Sequence, residues 1–212
     1  MEAATIREGG RMYGGQSPAQ RREERRERLI AAAVDLYGSG GFHSTPIIEV
    51  CRAARVTPRH FYELFETSED LLLAAYDAVI AEQTERVISA LEAAPERLEE
   101  RIRAGVTAAA ELWRDERKAR LIQQEVLGVS LRVERRRTEV LRAFAELIAG
   151  EAARFSEQSI TPRRMLVTGH ILGGGLNEAL MAWRLTPRRR RPPLSELVND
   201  AVEVFLAALE AR

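Results

Sequence analysis

Cysteine and lysine are almost missing from this chain, and aromatic residues are scarce. Cys51 is the single cysteine among 212 residues. A disulfide framework within the chain is therefore impossible, and a thiolate metal cluster has no ligands to draw on. No charge of either sign is in excess, since 32 basic residues balance 32 acidic ones. A strongly basic total would by itself point to nucleic acid; here such binding has to rest on a local site. Long apolar runs are missing too. Nothing approaches the ~18 residues of a membrane span, so no membrane partner is expected. The opening MEAATIREGG lacks the apolar stretch of a signal peptide, and a reducing cytoplasm is the expected compartment.

What is present favours helix. Hydrophobic residues reach 45%, enough for a real core, while aromatics are only 6%. Ala, Leu, Glu and Arg abound, and all are good helix formers. Lys118 is the only lysine. Arginine binds phosphates and guanine edges bidentately, although a bias spread along the whole chain also fits GC-rich coding.

The periodicity predicts an all-α chain of about nine helices: a three-helix N-terminal unit and a larger helical region. Residues 1–16 are polar, Gly-rich and aperiodic, and read as a flexible arm. Ser17-Pro18-Ala19-Gln20 opens the first helix with a cap, a proline and a capping-box Gln. Gly38, Gly40 and Gly41 end it. Thr45-Pro46 and Thr57-Pro58 repeat one device, a hydroxyl cap followed by proline, and open helices to about Ala54 and Phe65. Thr67-Ser68-Glu69-Asp70 opens a fourth, to about Leu91. Further helices are expected from Pro95 to about Asp115, over 117–128, 131–157 and 162–185, and in the C-terminal stretch. The expected domains are the arm (1–16), a three-helix unit (17–67) and a larger helical domain (68–212).

The informative window is residues 44–65. Two short helices are separated by about three residues. Cys51, Ala53 and Ala54 are small enough for close packing, and Val56, Phe61 and Phe65 fill the interior. Such a unit cannot bury its own core, so Leu29, Ala33 and Tyr37 of the first helix must contribute. The third helix is then left with an exposed outer face, the geometry needed to enter a major groove. A short helical hairpin with apolar filling also occurs in proteins that never touch DNA.

Thr45, the run Val50-Cys51 to Ala54-Arg55-Val56-Thr57, Phe61-Tyr62 with Phe65, and Ser68 to Leu72 together resemble the DNA-binding region of the TetR family of bacterial transcription regulators. The resemblance covers about residues 25–76. Residues 172–183 are similar to the family's dimerisation helix. Three departures stand out. Arg55 occupies a turn position that is usually Gly, large Arg59 one that is often small, and Ser68 one that is usually a phosphate-binding Lys.

The resemblance implies a regulator, most simply a repressor. It would bind double-stranded DNA at a near-palindromic operator as a homodimer and be released by a small molecule. Thr45, Pro46 and the first amides of the second helix would meet phosphate. Thr57, Pro58, Arg59 and His60 would face the groove, with Arg59 reading guanine. Arg55, Tyr62 and Ser68 would add backbone contacts. Gly169, Leu172, Gly173, Leu176, Leu180, Val202, Phe205 and Leu209 would form the dimer face; a helix pair within one chain is the alternative for the same residues. Trp113, Gln123, Phe144, His170 and Asn177 are candidates for an apolar ligand, and each is equally at home in a core or on a surface. Met165, Met181, Trp183, Gln124 and Glu125 are further members of that pool.

Enzymatic readings find little support. His43, His60 and His170 are the only histidines, and none follows a Glu by three residues as carboxylate di-metal helices require. Gly173 to Gly175 lacks the Lys-Ser/Thr of a phosphate loop. No catalytic residue, metal or cofactor is expected. A helical interaction module without DNA binding stays open, given zero net charge and Ser68.

Overall fold

The computed structural model describes residues 17–155 and 161–210; the expected arm over 1–16 lies outside the described residues. All regular structure among them is helical: α1 (Pro18–Gly40), α2 (Ile47–Ala54), α3 (Pro58–Tyr62), α4 (Ser68–Ala93), α5 (Leu98–Glu111), α6 (Glu116–Arg120), α7 (Leu131–Phe155), α8 (Pro162–Leu185) and α9 (Leu194–Glu210). A 3-10 turn, Leu112–Arg114, follows α5, and a π turn, Leu121–Glu125, continues α6.

Local chemistry sets most boundaries. The Ser17 hydroxyl accepts the Gln20 N–H at 3.1 Å while the Gln20 side chain accepts the Ser17 N–H at 2.7 Å, a reciprocal capping box. Gly41, at φ 96°, ends α1 where another residue would be strained. Thr57 and Thr67 cap α3 and α4. Thr45 does not cap α2. The cap position is Pro46, and the Thr45 hydroxyl turns back to donate to the Gly41 carbonyl at 2.7 Å. That carbonyl lies just beyond the end of α1, where acceptors lack helical partners.

Three other expectations are corrected. The helix expected from Pro95 starts at Leu98, because Arg97 is extended (φ −137°) and Glu96 reaches out to Arg154 at 2.9 Å. Ala53 is exposed on the outer face of α2, so Cys51 and Ala54 alone make the close approach. The expected continuous helix over 117–128 widens into the π turn. Arg120 Nε donates to Glu125 Oε1 at 2.7 Å across that turn, and the Phe42 N–H donates to Glu125 Oε2 at 2.7 Å.

The helices share one continuous core. Leu29, Ala33 and Tyr37 recur every four residues along α1, and all are fully buried. That stripe lies in one cluster with Val50, Phe61 and Leu71. α1 also packs on α6, where a Cβ added to Gly38 would lie 2.4 Å from the Arg117 carbonyl oxygen. In the larger region α4 packs along α5, α5 against α9 and α7 along α8.

Two helical glycines differ in their surroundings. A Cβ on Gly169 would fall 2.4 Å from the Ala145 carbonyl oxygen of α7, whereas one on Gly150 would meet nothing within 4 Å. Gly169→Ala should therefore destabilise the fold by about 1–3 kcal/mol, since backbone must move. Gly150→Ala should stabilise it by up to ~1 kcal/mol through helix propensity. Urea melts of the two variants check this; equal effects would mean that α7 and α8 do not approach so closely.

Candidate nucleic-acid interface

The α2–α3 turn rests on Arg55, the only non-glycine residue with positive φ among the described residues (φ 54°, ψ 43°). The backbone at this position, usually a glycine in the resembled family, is left-handed in a residue that carries a Cβ. Hydrogen bonds hold it: Arg55 N donates to the Arg52 carbonyl at 3.2 Å, and Val56 N to that of Cys51 at 2.9 Å. The chain then extends through Thr57, whose hydroxyl accepts the His60 N–H at 3.4 Å. Pro58 supplies the preset φ of the first helical position.

Phe61 fixes which way α3 faces. Its ring is fully buried, edge-on to Tyr62 at 5.1 Å and tilted against Phe65 at 5.8 Å. A residue two positions before it and one position after it must point elsewhere on a helix. The Arg59 side chain is 88% exposed and Tyr62 is 59% exposed. Thr57 and Pro58 are also exposed, and His60 is half-buried with Nδ1 3.1 Å from the Thr57 hydroxyl. Thr57, Pro58, Arg59 and Tyr62 thus share one solvent-facing end of the hairpin. Pro46 is exposed nearby in sequence, whereas Thr45 is buried with its hydroxyl proton engaged at Gly41.

Three partners were not read from the sequence. Glu63 Oε1 accepts from Arg59 Nε at 3.3 Å, a pair that the i,i+4 spacing could have revealed. Arg22 Nη2 donates to the Glu63 carbonyl at 3.3 Å, and the Arg26 guanidinium lies 5.8 Å over the Phe65 ring. These arginines of α1 brace α3, a contact 41 residues apart with no local signal. Ser68 is half-buried in the first turn of α4. Acids surround it, and Arg132 pairs with Asp70 at 2.5 Å, which holds the Asp70 carboxyl below its usual range. Charge at this end belongs to that pairing rather than to Ser68.

A second site lies inside the larger region. A cavity of about 150 Å³ opens between α4, α5, the π turn, α7, α8 and α9. Gln123, Phe144, His170 and Asn177 all reach its wall. Trp113 does not: it belongs to the 3-10 turn and its side chain is buried in the continuous core. Of the wider pool, Glu125 serves the junction with Phe42. Gln124 reaches Met181 at 3.6 Å, and Trp183 donates to the Pro192 carbonyl at 2.8 Å under the Arg191 guanidinium. Met165 is buried without lining the cavity.

The expected dimer face turns inward. Leu172, Leu180, Val202 and Phe205 are buried within the single chain. Gly169 abuts Ala145 of α7, Gly173 faces Ile148, and Leu176 and Leu209 pack half-buried on the core. The helix pair within one chain accounts for these residues. Larger apolar side chains fill the chain's own core first, and periodicity alone does not reveal what covers a face. The exposed apolar stripe is a different one: Val167, Ile171, Gly174 and Leu185 on α8, with Val204 on α9. Ile171 is 67% exposed.

Comparison with known proteins agrees with this architecture. The family described as bacterial regulatory proteins, tetR family, matches residues 29–75. The HTH-type transcriptional regulator HbdR of Aromatoleum sp. (strain CIB) is 33% identical over 58 residues, 27% of this chain and 25% of that protein. The match thus spans about a quarter of that relative's length. Among solved structures, the fatty acid degradation regulator FadR from Bacillus halodurans aligns with a TM-score of 0.75 at 20% identity, over 93% of this chain and 99% of its own. FadR from Bacillus subtilis, solved in complex with stearoyl-CoA, aligns with a TM-score of 0.74 at 17% identity, over 86% and 98%. Both share the fold.

Arg55→Gly separates strain from contact. A left-handed conformation costs a non-glycine residue roughly 1–2 kcal/mol, part of which glycine returns as unfolded-state entropy. The variant should be about 0.5–1 kcal/mol more stable in thermal melts. Unchanged or reduced stability would mean that the Arg55 side chain itself holds the turn.

Proposed function

We propose, for a chain that belongs to the TetR family of bacterial regulatory proteins, that it binds double-stranded DNA through α3 as a homodimer and represses transcription from a near-palindromic operator. A small apolar ligand in the cavity releases it. The observation that carries this reading is the exposed Arg59 projecting from a helix whose opposite side is locked by Phe61. Arg59 offers its fork to guanine O6 and N7, a contact worth ~1–3 kcal/mol of discrimination. Thr57, Pro58, His60 and Tyr62 lie against the groove walls, and Arg55 meets the backbone. Pro46 and the first amides of α2 lie at the phosphates, with Thr45 holding the preceding turn from inside, and Ser68 adds an uncharged contact.

The homodimer uses the exposed stripe of α8 and α9 rather than the buried residues. Val167, Ile171, Leu185 and Val204 are apolar and exposed, and Gly174 permits close approach. Two copies held there present two α3 helices to successive major grooves, roughly 34–36 Å apart.

Ligand response needs a physical link between cavity and hairpin. Ile122 and Gln123 of the π turn line the cavity. The same turn ends at Glu125, which holds the Phe42 N–H, and begins beside Arg120, which donates to the Ser39 carbonyl at 2.8 Å. A ligand that displaces Ile122 or Gln123 therefore loads the segment that enters α2. Release can only be as strong as the ligand's differential affinity for the two states. FadR from Bacillus subtilis, which shares the fold, was solved with stearoyl-CoA, a ligand that has an apolar part.

DNA selected by the purified protein from genomic fragments tests the reading. Arg59→Ala should weaken binding to the selected site about 10- to 100-fold and relax its guanine preference, with little change on unrelated DNA. Wild-type protein that selects no sequence would overturn the assignment. Ile171→Glu should yield monomers in sedimentation and lose operator binding together with the dimer. A variant that remains dimeric would place the interface elsewhere.

A further inference from the structure

Three properties of the cavity wall define what fits inside, and the inference rests on the proposed ligand-binding role. The first is size. A volume of about 150 Å³ equals that of an engineered apolar cavity, roughly 150 Å³, that holds benzene. The space suits one ring and not a long acyl chain.

The second property is charge. The ionised groups Arg101, Arg137 and Glu151 reach the wall. Arg101 is buried and bonds Glu151 through Nε at 2.5 Å and the Leu91 carbonyl through Nη1 at 2.8 Å, with Glu96 at 3.6 Å. Glu151 also pairs with Arg154 at 3.5 Å. Arg137 faces Glu134 at 3.9 Å. The bond to Arg101 holds the Glu151 carboxyl below its usual range, so it stays ionised. Burial pushes the Tyr76 phenol, also on the wall, up to about 12, so it stays neutral. At Arg101 an entering carboxylate would have to displace Glu151 or face it at low dielectric, where like charges repel strongly, and Arg137 already faces the Glu134 carboxylate.

The third property is an unused acceptor. Gln83 is only 6% exposed, and its Nε2 donates to the Ala109 carbonyl at 3.4 Å. A carbonyl accepts and never donates, so this bond fixes which end of the amide faces Ala109. The Gln83 Oε1 has no partner among the described residues, and the side chain lies on the cavity wall. That oxygen is not sealed off from the space it lines, so it is free to accept from whatever fills the cavity.

We infer that the cavity takes an uncharged, ring-sized apolar molecule bearing one hydroxyl, which donates to Gln83. The apolar body packs on Ile80, Val106, Val140 and Phe144. A phenol or a compact alcohol has this chemistry; fatty acids and acyl-CoA thioesters do not.

Calorimetry on the full chain with four probes tests this: phenol, toluene, benzoate and stearoyl-CoA. Phenol should bind up to about tenfold more tightly than toluene, the weight of one net hydrogen bond. Benzoate, the same size but charged, should bind at least about tenfold more weakly than phenol. Gln83→Leu should erase the advantage of phenol over toluene while toluene still binds. If that variant does not fold, the wild-type order of phenol, toluene and benzoate decides alone. Benzoate or stearoyl-CoA binding as tightly as phenol, or no ring compound binding at all, overturns the inference. DNA selection is run separately. Failure to select DNA with the phenol order intact would overturn the regulator and leave the ligand class standing, and the reverse result would do the opposite.

Discussion

The burial of one ring, Phe61, underlies everything on the proposed DNA face. α3 has five residues, far too few to persist alone, because nucleating a helix costs more than a single turn returns. It exists because Phe61 is inserted into the cluster that includes Leu29, Ala33, Tyr37 and Val50. Fully burying such a ring contributes about 1.5–3 kcal/mol, comparable to the cost of ordering so short a segment. The same insertion orients Arg59 and Tyr62 away from the core. Stability and recognition thus share one side chain, and Arg22 and Arg26 reinforce it from outside by holding the Glu63 carbonyl and covering Phe65.

A second constraint joins the hairpin to the larger region. α1 belongs to both: its buried stripe packs on the hairpin, and Gly38 admits α6 to backbone contact. Arg117 pairs with Asp35 at 2.9 Å on the same seam. The π turn then brings two residues five apart, Arg120 and Glu125, into line, so that one carboxylate serves both Arg120 and the Phe42 amide. π turns are rare and often sit at functional positions. Here the turn has one side on the cavity and the other on the entry to α2, so its geometry is shared between the two regions.

Much of this was legible in the sequence, and the failures have a common physical origin. Caps and breakers are local, so Ser17, Thr57, Thr67 and Gly41 marked their boundaries correctly. The hairpin core was legible because its stripe and its two phenylalanines follow helical spacing. What could not be read was which neighbour covers a given face. Leu172, Leu180, Val202 and Phe205 have the same pattern whether they meet another chain or their own, and they meet their own. Trp113 offered a bulky apolar surface that suits a ligand wall as well as a core, and it fills the core. Thr45 looked like a cap because Thr-Pro is a good one, but the unpaired Gly41 carbonyl competed for its hydroxyl and won. In each case a tertiary partner, distant in sequence, decided between readings that are locally equivalent.

Charge supplies a reason for the dimer proposed above. Within residues 44–65 three arginines, Arg52, Arg55 and Arg59, face two acids, Glu49 and Glu63, and one of those acids holds Arg59 Nε. The chain as a whole is neutral on balance and laced with ion pairs, most of them exposed and weak. Affinity for DNA grows with the number of phosphates neutralised, so a single hairpin with this few free cations binds poorly by electrostatics. Joining two hairpins makes the second contact intramolecular and raises affinity by orders of magnitude without new charge. That gain survives only while both copies fit one duplex. On the proposed reading, a dimer with so little electrostatic reserve would be released by a small change in the spacing of its halves, which is the quantity that a segment shared between cavity and hairpin can alter.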